Sequence, residues 1–315
     1  MKKISFIIEK NSKKNLSDCL KAVEKLKDKN MEAEVFAYDS SALDRELEEY
    51  LADKETDILD GTLFVTDSAA CADRLTEKGF CAAALEGGEN AAERFDGIKY
   101  VFSEPEEVDL DSYIKAYQRI KGIPWSILQT KRCIIRETTI DDVDELYKIY
   151  SDPDMTRYME GLFPDPEDEK RYMKDYIDKV YGFTGFGVWS IIEKETDELI
   201  GRAGLSIRKG FDYPEIGFLI SKSRQNMGYA KEVISAVLDY GKSVLGFGLV
   251  QALVKKGNII SINLLKKLGF RIERMVEVEE DIYGGKYLNE KGGLNTSDKE
   301  GGSSFGTYIE LIKEM

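Results

Sequence analysis

The chain has 315 residues, with 45 Lys and Arg, 59 Asp and Glu, and no histidine. Without histidine there is no Ser-His-Asp or Cys-His nucleophile pair, no histidine general base and no histidine-liganded metal. A net charge of −14 argues against a nucleic-acid or anionic-membrane binder, and 42% hydrophobic with 33% charged residues over this length predicts two ordinary globular domains.

The apolar run at residues 4–8 is too short for a signal-peptide core or a bilayer span and reads as a first buried strand. No later stretch reaches spanning length, so a cytoplasmic location is expected. Leu16, Leu20, Val23 and Leu26 recur at helical spacing. Strands are predicted over 34–38, 62–66, 81–85 and 99–102, and helices over 43–51, 69–78 and 110–121. Strands alternating with helices predict a Rossmann-like, three-layer α/β domain with a parallel sheet. Cys19, Cys71, Cys81 and Cys133 form no CxxC pair and match no zinc spacing, so buried free thiols are expected and no metal.

Val65-Thr66-Asp67-Ser68 ends a predicted strand, where α/β folds place ligand groups. The pattern distantly resembles haloacid-dehalogenase-type phosphatases, which need an Asp-x-Asp pair after the first strand. Here that strand ends Ile8-Glu9-Lys10, and Asp109-Leu110-Asp111 precedes a helix instead. A non-catalytic α/β domain is the expectation, with a phosphatase-like, bifunctional protein as the alternative.

Gly122 and Pro124 stop the last of these helices, and Trp125 and Leu128 suggest a linker that packs down. The boundary is placed near residue 130. Residues 1–130 then carry 18 − 27 = −9 charges, and residues 131–315 carry 27 − 32 = −5.

In the second half, residues 215–220 read as a strand, followed by Arg224-Gln225-Asn226-Met227-Gly228-Tyr229-Ala230. Ala230, Val233, Ile234, Val237 and Leu238 then trace one face of a helix. A turn containing one glycine thus leads into a helix N-terminus, whose unpaired N–H groups and partial positive charge suit an anion. From Lys222 to Lys267 eight basic residues face two acidic ones, a basic island in an acidic chain. A strand over 249–254 follows, then Asn258, Ser261 and Leu268-Gly269-Phe270, with Gly269 as a helix C-cap.

Gln225-x-x-Gly228-x-Ala230, together with Asn258-x-x-Ser261 and Leu268-Gly269-Phe270, resembles the pyrophosphate loop and second motif of the GCN5-related N-acetyltransferases (GNAT). Cys133-Ile134-Ile135-Arg136-Glu137 resembles that family's first strand, residues 140–151 its first helix, and residues 187–193 and 199–206 its central hairpin. The likeness covers residues 131–315. It is greatest to the branch acetylating protein N-termini and small amines.

The resemblance implies a mixed α+β acyl-CoA-binding domain using acetyl-CoA as cosubstrate. It places the pantetheine arm along the backbone of Phe218, Leu219 and Ile220. The pyrophosphate falls on the amides of Gln225, Asn226, Met227, Gly228, Tyr229 and Ala230, with Arg224 and Lys231 nearby. Asn258 would reach the pantetheine or the reacting thioester region. With no histidine, a carboxylate must take the amine proton, and Glu215 is the candidate. The amide of Phe218 or Leu219 would stabilise the oxyanion. Relatives often place a tyrosine acid where this chain has Leu265, so Ser261 is the candidate donor to the leaving thiolate. The acceptor is expected to be a primary amine, on a protein N-terminus or a small molecule, and the acidic front half favours a cationic one. Residues 158–161 and 181–187, and a long loop punctuated by Gly284-Gly285, Gly292-Gly293 and Gly301-Gly302, are expected near it. The loss implied by Leu265 leaves a non-catalytic acyl-CoA-sensing module as a second possibility.

Overall fold

The computed structural model describes residues 1–88, 90–280 and 304–315, and the chain divides into two units, Met1–Trp125 and Ser126–Met315. The loop glycine pairs between 284 and 302 lie outside the described residues.

The first unit contains β1 (Lys3–Glu9), α1 (Lys13–Asp28), β2 (Glu32–Tyr38), a 3₁₀ turn (Ser40–Ala42), α2 (Leu43–Ala52), α3 (Thr56–Asp60), β3 (Thr62–Thr66), α4 (Ala69–Glu77), β4 (Cys81–Leu85), β5 (Val101–Phe102) and α5 (Leu110–Ile120). The strands are parallel in the order β2-β1-β3-β4-β5. Both sheet faces are covered, which is why the central strands are almost continuously apolar. Ile4, Phe6 and Ile8 pack with Cys19 and Leu26 of α1 and with Tyr113 of α5. Ile7 and Phe64 pack with Leu47 of α2 and Leu75 of α4 on the opposite face. The predicted three layers are present. The short α3 was not predicted, since it buries only Leu59 and has too few residues to show a period.

Asp67 follows β3 at the point where the strand order reverses. Its carboxylate accepts from the Glu9 amide and from Asn15 Nδ2, both at 3.1 Å, and Asn90 Nδ2 donates to its carbonyl at 2.7 Å. It is a buried brace between the end of β1, the first turn of α1 and the loop after β4. Asp109 is the N-cap of α5, accepting from the Ser112 amide at 2.9 Å. All four cysteines are buried and unpaired, as expected.

The second unit contains β6 (Ser126–Gln129), β7 (Cys133–Arg136), a 3₁₀ turn (Ile140–Asp142), α6 (Val143–Tyr150), α7 (Pro153–Thr156), α8 (Pro166–Asp175), a π-helical turn (Tyr176–Tyr181), α9 (Gly182–Thr184), β8 (Val188–Glu193), β9 (Leu199–Ser206), β10 (Glu215–Ile220), a 3₁₀ turn (Lys222–Arg224), α10 (Tyr229–Ser243), β11 (Leu249–Lys255), α11 (Ile259–Lys267), β12 (Arg271–Glu280) and β13 (Ser304–Glu314). They form one sheet, ordered β12-β13-β11-β10-β9-β8-β7-β6. Every neighbour is antiparallel except β10 and β11.

The segment read as a linker is therefore partly a strand. Leu128 pairs with Ile135, and Ile127 and Leu128 pack on the second core. Trp125 stays with the first unit: its Nε1 donates to the Lys115 carbonyl at 3.0 Å, and the Arg119 guanidinium stacks 4.1 Å above its ring.

The apolar stripe of α10 (Val233, Ile234, Val237 and Leu238) packs on the sheet face carrying Trp189, Ile191, Leu205, Ile216 and Ile220. Each such side chain contributes about 1.5–3 kcal/mol by leaving water. Because strand side chains alternate, the opposite face carries Ser190, Arg202, Glu215 and Gln251. Among the described residues no helix is long and apolar enough to cross a membrane, and no group of three acidic or cysteine side chains could hold a metal.

Candidate active site

The parallel pair at the centre of the second sheet comes apart almost at once. Only Glu215 and Gln251 are in register, with the Gln251 amide donating to the Pro214 carbonyl at 2.9 Å. Beyond that point β10 has, among the described residues, a ladder partner on one side only. Backbone groups alternate in direction along a strand. Ser221 donates to the Ile200 carbonyl of β9 at 2.7 Å, so odd-numbered residues turn toward β9. Even-numbered residues turn the other way, as Pro214 does and as Ile220 does in accepting from Gln225 Nε2 at 3.0 Å. The N–H and C=O of Phe218 therefore face the gap. Those of Leu219 face β9, so of the two amides considered for the oxyanion only that of Phe218 points into the fork.

The turn after β10 has two left-handed residues, Asn226 (φ 59°) and Gly228 (φ 84°). Such alternation curls successive amides into a concave nest. Gly228 is the N-cap of α10 and supplies no side-chain cap, so the first helical N–H groups stay available to an anion. The glycine is required by its φ. A Cβ there would meet only Arg132 Nη2, at 3.6 Å.

The loop is braced from below. Tyr229 is buried, and its hydroxyl donates to Glu193. Arg224 Nη2 donates to Glu193 at 2.8 Å and to Glu198 at 3.1 Å. Hydrogen bonds from Arg224 and Tyr229 lower the Glu193 carboxyl to about 2. Lys222 pairs with Asp152 at 3.0 Å and Asp154 at 2.7 Å, and Lys255 with Glu280 at 2.7 Å. The basic island is thus partly neutralised by carboxylates distant in sequence. Lys231 is exposed and makes no ion pair among the described residues, and Asn226 and Met227 are also exposed.

Arg132 was missed in the sequence. Its guanidinium lies 3.8 Å above the Tyr229 ring, its Nη1 donates to the Met227 carbonyl at 2.9 Å, and its Nε donates to Glu232 at 2.8 Å. It holds the loop to the body of α10. No local pattern could have found it, because its partners are about a hundred residues away.

Asn258 caps α11, accepting from the Ser261 amide at 3.1 Å, so Ser261 is a half-buried residue of the first turn and not the cap. The segment around α7 reaches both loops: Gln225 Nε2 lies 3.3 Å from Met155 Sδ, and a Cβ on Gly257 would lie 2.9 Å from the Tyr158 ring. The aromatics of 181–187 divide. Tyr181 is buried and donates to the Val188 carbonyl at 2.5 Å, whereas Phe183 is 91% exposed. Leu265 is fully buried in the core.

Glu215 stands at the mouth of the fork, buried, with one carboxylate oxygen accepting from Arg208 Nε at 2.6 Å. Burial pushes its carboxyl above the usual range, against the pull of Arg208. Its register partner Gln251 is fully buried, and neither amide atom of that side chain has a hydrogen-bond partner among the described residues.

Residues 132–271 match the acetyltransferase (GNAT) domain. An uncharacterized N-acetyltransferase, p20, of Bacillus licheniformis is 32% identical over 161 residues, covering 50% of this chain and 89% of that protein. The uncharacterized N-acetyltransferase YoaA of Bacillus subtilis is 33% identical over 154 residues, 47% of this chain and 84% of that protein. Among solved structures, a GNAT-family acetyltransferase from Bacillus anthracis aligns at a TM-score of 0.45 with 20% identity, over 59% of this chain and 97% of that one.

Proposed function

Because the chain belongs to the GNAT family of acetyltransferases, we propose that its second unit transfers an acetyl group from acetyl-CoA to a primary amine, on a protein N-terminus or a small molecule. The observation that carries this reading is the fork: one ladder pair, then an open edge of β10 ending in a capless helix N-terminus. An extended amide-bearing arm can pair with the backbone of Phe218 and Ile220, and a pyrophosphate can lie on the amides of Gln225 to Lys231. Leu219 contributes the neighbouring wall of that strand. Arg224 acts by fixing the loop, while the exposed Lys231 is free to meet phosphate oxygens. Asn258 spends its carbonyl on the cap, leaving its NH₂ group for the thioester end.

The amine must lose a proton to attack. Glu215, with one oxygen held by Arg208, takes that proton, directly or through a water. The amine nitrogen bonds to the acetyl carbon, the Phe218 amide stabilises the oxyanion, and the C–S bond then breaks. Ser261 donates a hydrogen bond to the departing thiolate. Leu265, buried where relatives place an acid, favours one rival reading, a module that binds acyl-CoA without turnover. Release of free thiol from acetyl-CoA, followed with and without added primary amines, separates the two. Amine-dependent release is expected; tight CoA binding with no amine-dependent release would establish the rival.

A further inference from the structure

The sheet face opposite α10 carries a second unpartnered polar side chain besides Gln251. Arg202 lies on β9, in register with Ser190 on one side and Leu219 on the other. Its guanidinium makes no ion pair or hydrogen bond among the described residues, and its Nε is buried without a partner. Tyr150, Tyr172, Tyr176 and Tyr181, from α6, α8 and the π-helical turn, lie within electrostatic reach of it. Glu169, the carboxylate whose field reaches it, accepts instead from the Phe163 amide at 3.1 Å. A half-enclosed cation with no ion pair among the described residues is costly and is kept where something else pairs with it. A π turn inserted beside it is a second irregularity of the kind that collects at functional sites.

Arg202 shares its face with Glu215. Leu219, its register partner, is four residues along β10 from Glu215, a backbone separation of about 13 Å. Between them stands Gly217, where a Cβ would meet no atom within 4 Å. A Cβ on Gly204, the register partner of Gly217, would meet the Gly187 carbonyl at 2.0 Å, so the open space on this face lies over β10.

We infer that the acceptor lies along this face of β10 and carries an oxyanion, a carboxylate or a phosphate, that pairs with Arg202 while its amine meets Glu215. The inference rests on the transferase reading and narrows it. A polyamine offers Arg202 only like charge, whereas an amino acid, a short peptide or an aminoalkyl phosphate offers the missing partner. A site built to bind such a group discriminates strongly against analogues lacking it.

The test uses the full chain, acetyl-CoA and matched acceptors: triglycine against triglycinamide, aminohexyl phosphate against aminohexanol, and spermidine. The anionic member of at least one pair should be preferred by at least about tenfold in kcat/KM, the pair identifying carboxylate or phosphate. R202Q should reduce that preference to less than about twofold, chiefly through KM, and R202K should keep part of it, which also reports a folded site. Equal use of neutral and anionic partners, spermidine as the best acceptor, a preference surviving R202Q, or acetyl-CoA binding with none of the five acetylated would each overturn the inference. Calorimetry showing no acetyl-CoA binding at all would instead overturn the transferase reading.

Discussion

Glu215 and Glu193 are both buried carboxylates, and their surroundings drive them in opposite directions. Burial raises Glu215, with only Arg208 opposing. If it is the base, transfer requires its ionised form, so kcat/KM should fall as pH drops through a pKa above the ordinary 4.5. E215Q should lower kcat by roughly 10²–10⁴ and abolish that acid limb while leaving CoA affinity in place; an unchanged pH profile would remove Glu215 from the mechanism. Glu193 is lowered from 4.5 to about 2 by Arg224 and Tyr229. Its contribution to stability is complete above pH 4.5 and is lost as pH falls toward 2. E193Q should therefore destabilise the fold at neutral pH by about 1–3 kcal/mol. The gap to wild type should close over that acid range in denaturant melts; a constant gap would mean that the ion pair contributes nothing.

At the scale of elements, the site is a strand that loses its neighbour and a helix that begins without a cap. Replacing Gly228 by Glu forces a side chain onto a left-handed residue and sets a carboxylate against bound phosphates. G228E should weaken CoA binding by at least about 100-fold, near 2.7 kcal/mol. Gly246 has a similar positive φ (71°) and open surroundings, so G246E serves as the control and should leave binding close to wild type. The periodic elements were legible: β3 and β4 run over the predicted residues, and α10 begins one residue before its apolar stripe. The helices between β7 and β8 were not all legible. α8 is crowded with charge, which blurs its period. A signal was nonetheless present, because Asp152-Pro153 and Asp165-Pro166 each place a capping aspartate before a proline at the first helical position. The single-pair fork has no such signal, since strand separation depends on what β11 pairs with on its other side.

Over the whole molecule, each unit has its own core: two apolar clusters flank the first sheet, and another joins the second sheet to α10. Calorimetric unfolding should resolve into two transitions. CoA at 100 times its Kd should stabilise only one of them, by about 2.7 kcal/mol; a shift of both would show that the units unfold together. The sequence by itself determined the α/β layering of the first unit, the amphipathic α10 of the second, the glycine that opens α10 and the lack of any histidine base. Each of these follows from local periodicity, backbone φ or composition. Only the tertiary structure decided that Arg224 and Tyr229 turn inward to Glu193, that Arg132 clamps the loop, that Phe218 and not Leu219 faces the fork, and that Arg202 makes no ion pair among the described residues. Those depend on which strands pair and in what register, and strand pairing joins residues whose separation in the chain carries no local pattern.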